Sequence, residues 1–525
     1  MSGPTRPLGE LVARLEAEGR FRGARSRGRP VGAAAVGTTQ LSGVAYDSRS
    51  VTVGSLFVAI AGLHADGHDF AADAVARGAA AVLVERAIPG LQVPQVIVEA
   101  SRPALATAAA WWFGDPSHAL TVVGITGTDG KTTTAHLAVA ALEGAGVRTG
   151  MVGTIATRIG GLTEAHAAHA TTPEAPELQS ALRAMADAGD QVAIVETTSH
   201  GLTLDRVASI AYDVAILTNL THEHLELHGT WEAYRDAKLS LFARLRSAVA
   251  KRGGVSPAGI VNLDDPSAGL FIGVTRESRA RLVTYGMDPA ADVRAARVAE
   301  DGAGLRMEVV APSGTAELRL RLAGRFNVHN ALAVVALGEV LGLDPAAVRA
   351  GLGGLELVPG RMERVDAGQP FGVIVDFAHS PASLQTVLDL LAPTAAARSG
   401  GLIAVFGSAG ERDTAKRPVM GRVAGERCRL VVVTDEDPRG EDRAVILDAI
   451  ARGAESAGLR RGHDLLVIAD RRAAIAAAFE AARPGDIVVL AGKGHERSII
   501  GPDGEQQWDE RATALELLAE AGYRA

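Results

Sequence analysis

The chain of 525 residues has a single cysteine, Cys428. One thiol can build neither an internal disulfide nor a cysteine-cluster zinc site. Long apolar runs are missing too: none approaches the ~20 residues of a membrane-spanning helix. Residues 1–16 carry Arg6, Glu10, Arg14 and Glu16 and no apolar core of a secretory leader, so the expected location is the cytoplasm. Positive charge is in short supply: 53 Lys+Arg against 61 Asp+Glu leaves −8, and no overall basic field favours nucleic acid. The local exception is the cluster Arg20, Arg22, Arg25, Arg27 and Arg29. Glycines interleave it and Phe21 is its only aromatic, which reads as a flexible, solvated segment. Internal repeats are absent, as are low-complexity tracts beyond Ala-rich helices.

What is present describes a large α/β protein. Hydrophobic residues make up 47%, charged residues 22%, and there are 60 glycines. The length suits about three domains of ~150–200 residues, each with ample core. The pattern divides them as 1–115, 116–356 and 357–525: a small α/β unit, a central nucleotide-binding unit and a doubly wound unit.

The organising stretch is residues 120–137, LTVVGITGTDGKTTTAHL. An apolar β-branched run ending at Ile125 reads as a buried strand. Gly127-Thr128-Asp129-Gly130-Lys131-Thr132 follows, and Thr133 begins a helix-like run. Strand, glycine turn and helix start make an anion trap: backbone N–H groups point inward and the helix N-terminus adds partial positive charge. Lys131 supplies a full charge for phosphates, and the Thr132 hydroxyl suits Mg²⁺. The spacing departs from GxxxxGK[ST], since Gly124 lies six residues before Gly130.

Other apolar runs also end in polar clusters, where open α/β sheets bind ligands. Gln191 to Val195 runs into Glu196-Thr197-Thr198-Ser199-His200. Asp213 to Asn219 runs into Thr221-His222-Glu223-His224-Leu225-Glu226-Leu227-His228. Three histidines so close suit zinc, while the interleaved glutamates suit a harder ion. Lys238 falls in a helix over 231–245, and Asn327 and Asn330 open a strongly apolar helix. In the third unit four runs end at Asp376, Phe406, Val433 and Leu490. Polar or glycine-rich sequence follows each, holding His379, Arg412, Glu436-Asp437-Pro438-Arg439 and Gly492-Lys493-Gly494-His495-Glu496.

Taken together, from Asp47-Ser48-Arg49 to Gly492-Lys493-Gly494-His495-Glu496, these motifs resemble the Mur ligases, and among them the MurE type. The resemblance implies an ATP-dependent, Mg²⁺-requiring amide ligase of peptidoglycan precursor synthesis. Such an enzyme adds a third residue to UDP-N-acetylmuramoyl-L-alanyl-D-glutamate through an acyl phosphate. It implies that Gly127, Thr128, Asp129, Gly130, Lys131, Thr132, Thr133, Asn327, Asn330, Arg361, Asp376 and His379 meet ATP. Thr132, Glu196, His224 and Lys238, the last as a carbamate (N6-carboxylysine), would bind metal. Lys131, Lys238, His224, Glu196 and Arg361 would be catalytic. Ser48, His64, Thr171, Thr172, Ser199 and Arg206 would meet the muramoyl dipeptide. Arg412, Asp437, Arg439, Gly492 and Glu496 would meet the incoming amino acid. A monomer is implied, with no nucleic acid and no membrane insertion.

Two departures bear on substrate. Glu223 and Glu226 stand where the family usually has Asp, and Glu436-Asp437-Pro438-Arg439 stands where diaminopimelate-adding members carry Asp-Asn-Pro-Arg. The retained Arg439 argues for meso-diaminopimelate, since a guanidinium pairs bidentately with a carboxylate. Asp437 argues for L-lysine or L-ornithine, above all if it neutralises Arg439. The balance is set towards meso-diaminopimelate. The rivals are a folylpolyglutamate or cyanophycin synthetase, which the Asp47-Ser48-Arg49 region argues against, and a non-catalytic P-loop protein, which has no need of Lys238 or His224.

Overall fold

The structure, a computed structural model, describes residues 5–62, 65–165, 171–221, 225–247, 251, 254–301 and 304–524. Its core is divided among three large sheets.

The first sheet has six strands, in the order Arg29–Val31, Phe21–Ser26, Gln95–Val98, Ala81–Val84, Ser55–Val58, Gly43–Ala45. Leu8, Leu11 and Leu15 of the helix Leu8–Ala17 seal one face. The arginine cluster expected to be a solvated segment is instead a hairpin of this sheet. Arg22 and Arg25 lie on the strand Phe21–Ser26, which pairs with Gln95–Val98 through Ala24 opposite Val96. Ala24 lies in the core and Phe21 packs against it, the register shifting by a bulge between Phe21 and Gly23, so Arg22 and Arg25 are free to leave that face.

The central sheet has eleven strands. Thr121–Thr126, the strand before the glycine turn, lies in its middle between Val192–Glu196 and Val214–Leu217, parallel to both. All six of its residues but Thr121 are buried, because helices cover both faces. The helix Phe326–Leu341 is apolar nearly all round and packs into that core. It begins at Phe326, so Asn327 and Asn330 lie in its first turns. The sheet extends through an antiparallel meander, Val293–Asp301, Gly304–Ala311 and Gly314–Leu320, that the sequence reading lacked.

The third sheet has the order Glu363–Val365, Gly372–Asp376, Ile487–Ala491, Leu402–Phe406, Leu430–Val433, Leu465–Val467. All but the first strand are parallel. Helices lie on both faces, and the chain leaves each long strand at one common edge. Among the described residues no helix is long and apolar enough to cross a membrane.

Candidate active site

The phosphate loop is held by bonds to its neighbours. Gly130 has φ +82°, and a Cβ there would lie 2.5 Å from the Asn330 side-chain oxygen, so only glycine fits. The helix Lys131–Gly144 starts directly after it and presents its N-terminus to the loop. Lys131 Nζ donates to the carbonyls of Gly127 and Thr128, at 2.9 and 2.6 Å. Asp129 N–H donates to the Asn219 side chain, and the Thr128 hydroxyl bonds the Tyr234 hydroxyl. Thr133 is buried beside them. Asn330 Nδ2 donates to Asn327 Oδ1, and Thr134 Oγ1 donates to Asn330 Oδ1, joining the helix Phe326–Leu341 to the loop.

Next to the loop stands a set of oxygen donors. Glu196, fully buried at the end of its strand, accepts from Thr132 Oγ1 at 2.8 Å, from Thr154 Oγ1 at 2.9 Å and from Thr154 N at 2.9 Å. Hydroxyl and carboxylate together suit a hard cation such as Mg²⁺. Thr154 belongs to this cluster, and nothing in its sequence surroundings marked it. Lys238, 1% exposed on the helix Trp231–Ala243, donates from Nζ to the Gly127 carbonyl at 2.7 Å and lies over the Tyr234 ring. It therefore touches the phosphate loop and is not a solvated helix lysine. His224 and His64 lie outside the described residues. No cluster of three His, Cys, Asp or Glu able to hold a metal occurs among the described residues.

A second patch adjoins Glu196. Thr172 Oγ1 donates to the Glu196 carbonyl and accepts from Thr198 N. Arg206 Nη1 donates to the Thr172 carbonyl, and Nη2 pairs with Glu174 at 2.8 Å. Thr171 accepts from Thr154. The Ser199 hydroxyl and Arg206 Nε are buried without a hydrogen-bond partner among the described residues, so polar capacity is left over here. Ser48 lies apart, in the turn Ser48–Ser50 of the first unit, beside the exposed Asp47–Arg49 pair.

The third unit reaches the phosphate loop through Arg361. Its Nη2 comes within 3.5 Å of Thr132 Oγ1, across 229 residues of sequence. Its guanidinium stacks on the Phe377 ring, whose centroid is 4.6 Å away, and Phe377 in turn packs against His379 and His495. Asp376 accepts from the N–H groups of Met362 and Ala378, fixing the turn that carries Arg361. Burial pushes its carboxyl above the usual carboxylate range, and the nearby Arg361 only partly opposes this. Burial drives the His495 imidazole down to about 3, with Arg361 acting in the same direction. His495 is thus neutral near pH 7. The sequence reading gave Phe377 and His495 no role, although both lie inside motifs it singled out.

The loops after the third sheet gather a further charged cluster. Asp437 is 4% exposed and pairs with Lys493, which is wholly buried, at 2.8 Å; Lys493 also pairs with Glu496 at 2.6 Å. The possibility that Asp437 neutralises Arg439 is therefore overturned: its partner is Lys493. Arg439 and Arg412 make no ion pair among the described residues, and Arg439 Nε is buried without a partner. Gly492 has φ +98°, and a Cβ there would press to 2.9 Å of Glu436 Oε2, itself buried without a partner.

These groups share one groove of about 1980 Å³. Lys131, Thr132, Asn327, Asn330, Thr171, Thr172 and Arg206 line it from the central unit, and Arg361, Asp376, His379, Arg412, Asp437, Arg439 and Glu496 come from the third unit. Ser48 does not line it.

Comparison with known proteins bears directly on this geometry. Three family descriptions match in chain order: "Mur ligase family, catalytic domain" over residues 40–111, "Mur ligase middle domain" over 125–338, and "Mur ligase, glutamate ligase domain" over 360–494. The chain is 47% identical over 498 residues to a UDP-N-acetylmuramyl-tripeptide synthetase of Roseiflexus sp. (strain RS-1), covering 92% of this chain and 96% of the relative. It is 40% identical over 501 residues to a UDP-N-acetylmuramoyl-L-alanyl-D-glutamate–2,6-diaminopimelate ligase of Geobacter metallireducens, with the same coverage of 92% and 96%. A solved structure of a ligase of that second name matches with a TM-score of 0.63 at 30% identity, over 93% of this chain and 96% of the other. With its phosphate loop, its three sheets in this order and these relatives, the chain belongs to the Mur ligase family and is an ATP-dependent ligase.

Proposed function

We propose that this ligase joins a diamino acid, meso-diaminopimelate, to the D-glutamate of UDP-N-acetylmuramoyl-L-alanyl-D-glutamate, forming ADP and phosphate. The observation that carries the reading is the shared groove: the phosphate loop, Arg361 and the unpaired Arg439 all line it. Residues 1–115 would hold the uridine nucleotide around Ser48 and His64, 116–356 the ATP, and 357–525 the incoming amino acid.

The chemistry has to bring two anions together, the γ-phosphate and the glutamate side-chain carboxylate. A carboxylate oxygen attacks the γ-phosphorus and ADP leaves. The amine then attacks the acyl carbon, phosphate departs, and the nitrogen loses its proton. Lys131, Arg361 and the helix N-terminus at Lys131 are the cationic groups positioned to offset that repulsion. Arg361 comes from a different unit from Lys131, so the site is complete only with the third unit in place, which also keeps water from the acyl phosphate. Thr132 and Glu196 would hold a Mg²⁺ ion, with His224 and a carbamylated Lys238 holding a second. When bound, these ions would supply charge neutralisation on the phosphates. Thr171, Thr172, Ser199 and Arg206 would orient the dipeptide, and Asn327 and Asn330 the adenine side. Asp376 and His379 would steady the turn that bears Arg361.

Diaminopimelate is favoured over lysine because Arg439 is not taken up by Asp437 and stays available to a distal carboxylate. Both ATP and a uridine-nucleotide substrate point to work in the cytoplasm. Phosphate release should require the muramoyl dipeptide and a diamino acid together. A panel of diaminopimelate, lysine and ornithine tests the choice: a clear preference in kcat/KM for lysine or ornithine would overturn it, and ATP turnover indifferent to both substrates would overturn the ligase chemistry.

A further inference from the structure

The loops that meet the incoming amino acid carry an awkward balance of charge. Glu436, Asp437 and Glu496 are three carboxylates that line the same groove as Arg439 and Arg412. Left to themselves, three anions would bind the two guanidiniums and repel a substrate carboxylate. Lys493 alters that count. Its ammonium is wholly buried under the loops, 2.8 Å from Asp437 and 2.6 Å from Glu496. Asp437 is fixed further by the Ile500 N–H at 2.9 Å, donated to the same oxygen. The Arg439 N–H donates to the Ile500 carbonyl at 2.9 Å, so residues 437 and 439 are both clamped to one short segment. That clamp holds the Asp437 carboxylate on Lys493.

We propose that Lys493 sets amino-acid choice without touching the substrate: it neutralises Asp437, so that Arg439 remains a receptor for a distal carboxylate. Lys493 is thus a positioning residue, and Asp437 bonded to it does the work of an uncharged side chain. Glu436, whose buried Oε2 has no partner among the described residues, is then the acceptor left for the distal ammonium. A cation receptor and an anion receptor lining one groove fit an amino acid with a zwitterionic far end. Lysine lacks the carboxylate and would leave a guanidinium unanswered in a closed site. This inference rests on the ligase reading above.

The test is a mutant cycle read in KM for diaminopimelate and for lysine, with KM for ATP as control. K493M should raise KM for diaminopimelate at least tenfold and erase the preference over lysine, with KM for ATP within about twofold, because Asp437 is released to Arg439. Adding D437N to K493M should bring most of the preference back. K493M with its diaminopimelate preference intact would overturn the proposal, and so would a double variant no better than K493M. Should K493M be too unstable to assay, the double variant is measured alone: a preference for diaminopimelate supports the proposal, and its loss overturns it. The wild-type panel separates the two levels. A wild type that prefers lysine sinks the diaminopimelate reading, while coupling between positions 437 and 493 in KM for lysine still decides whether Lys493 acts through Asp437.

Discussion

Two regions of the groove are built differently. At the phosphate loop, side chains are bonded to one another: Lys131 to Gly127 and Thr128, Glu196 to Thr132 and Thr154, Asn330 to Asn327. Around Arg439, capacity is left over: Glu436 Oε2 and Arg439 Nε have no partner among the described residues. The first region is preorganised for a ligand that never varies. The second has unmatched polar atoms, which in the proposed reaction would meet the substrate that has to be chosen. The phosphate loop should therefore govern kcat for every amino acid alike, and the other region should govern KM for one.

The largest expected effect is at the phosphate loop. Lys131→Ala should lower kcat by at least about 10²–10³ with every diamino acid, as loss of a single transition-state donor does. Its melting temperature should stay close to wild type, since Lys131 is only half-buried and bonds its own loop. A selective loss for one amino acid would break the comparison. Lys238→Ala should lose about 10–100-fold in activity and regain part of it with a short-chain carboxylate such as formate. Absence of rescue, in a variant that still folds, would argue against the carbamate.

In the other region, Arg439→Met should raise KM for diaminopimelate by about 30-fold, the cost of ~2 kcal/mol for an unanswered charge. KM for lysine and ATP should move little, and equal losses for both amino acids would erase the distinction. The smallest effect is on stability and concerns His495. The unfolded chain takes up a proton near 6.5, whereas the folded imidazole resists it until about 3. Stability should therefore be intact above 6.5 and fall as pH drops through that interval, by about 1.4 kcal/mol per pH unit. His495→Gln should remove about 2 kcal/mol of the loss between pH 6.5 and pH 5. Urea unfolding at the two pH values measures it, and an unchanged slope would show that His495 is protonated in the fold.

Much of this architecture is legible because strands buried on both faces read as unbroken apolar runs. Thr121–Thr126, Val192–Glu196 and Leu430–Val433 stand out for that reason, and ligand groups stand at their ends. The meander from Val293 to Leu320 is hidden because its outer positions are charged and exposed, as in Arg306 and Arg319. The arginine hairpin misleads in the same way: Arg22 and Arg25 advertise solvent while Ala24 between them is core. In the site, residue types announce the phosphate loop, but pairing does not follow from sequence. Asp437 and Lys493 are 56 residues apart, and only the parallel order of the strands carrying them brings their charges together. The nearer Arg439 looked the natural partner, and the clamp at Ile500 is what directs Asp437 elsewhere.

The contact between Gly130 and Asn330 reaches beyond this one molecule. A residue larger than glycine at 130 would collide with the asparagine, so two segments 200 positions apart are obliged to be inherited together. In a chimera between two such ligases, a crossover between them should be tolerated only when both parents carry that pair. A crossover near 356 would leave the pair intact and exchange the loops around Arg439 and Lys493 as a set. Recombination of that kind would transplant amino-acid choice while handing on the phosphate machinery untouched.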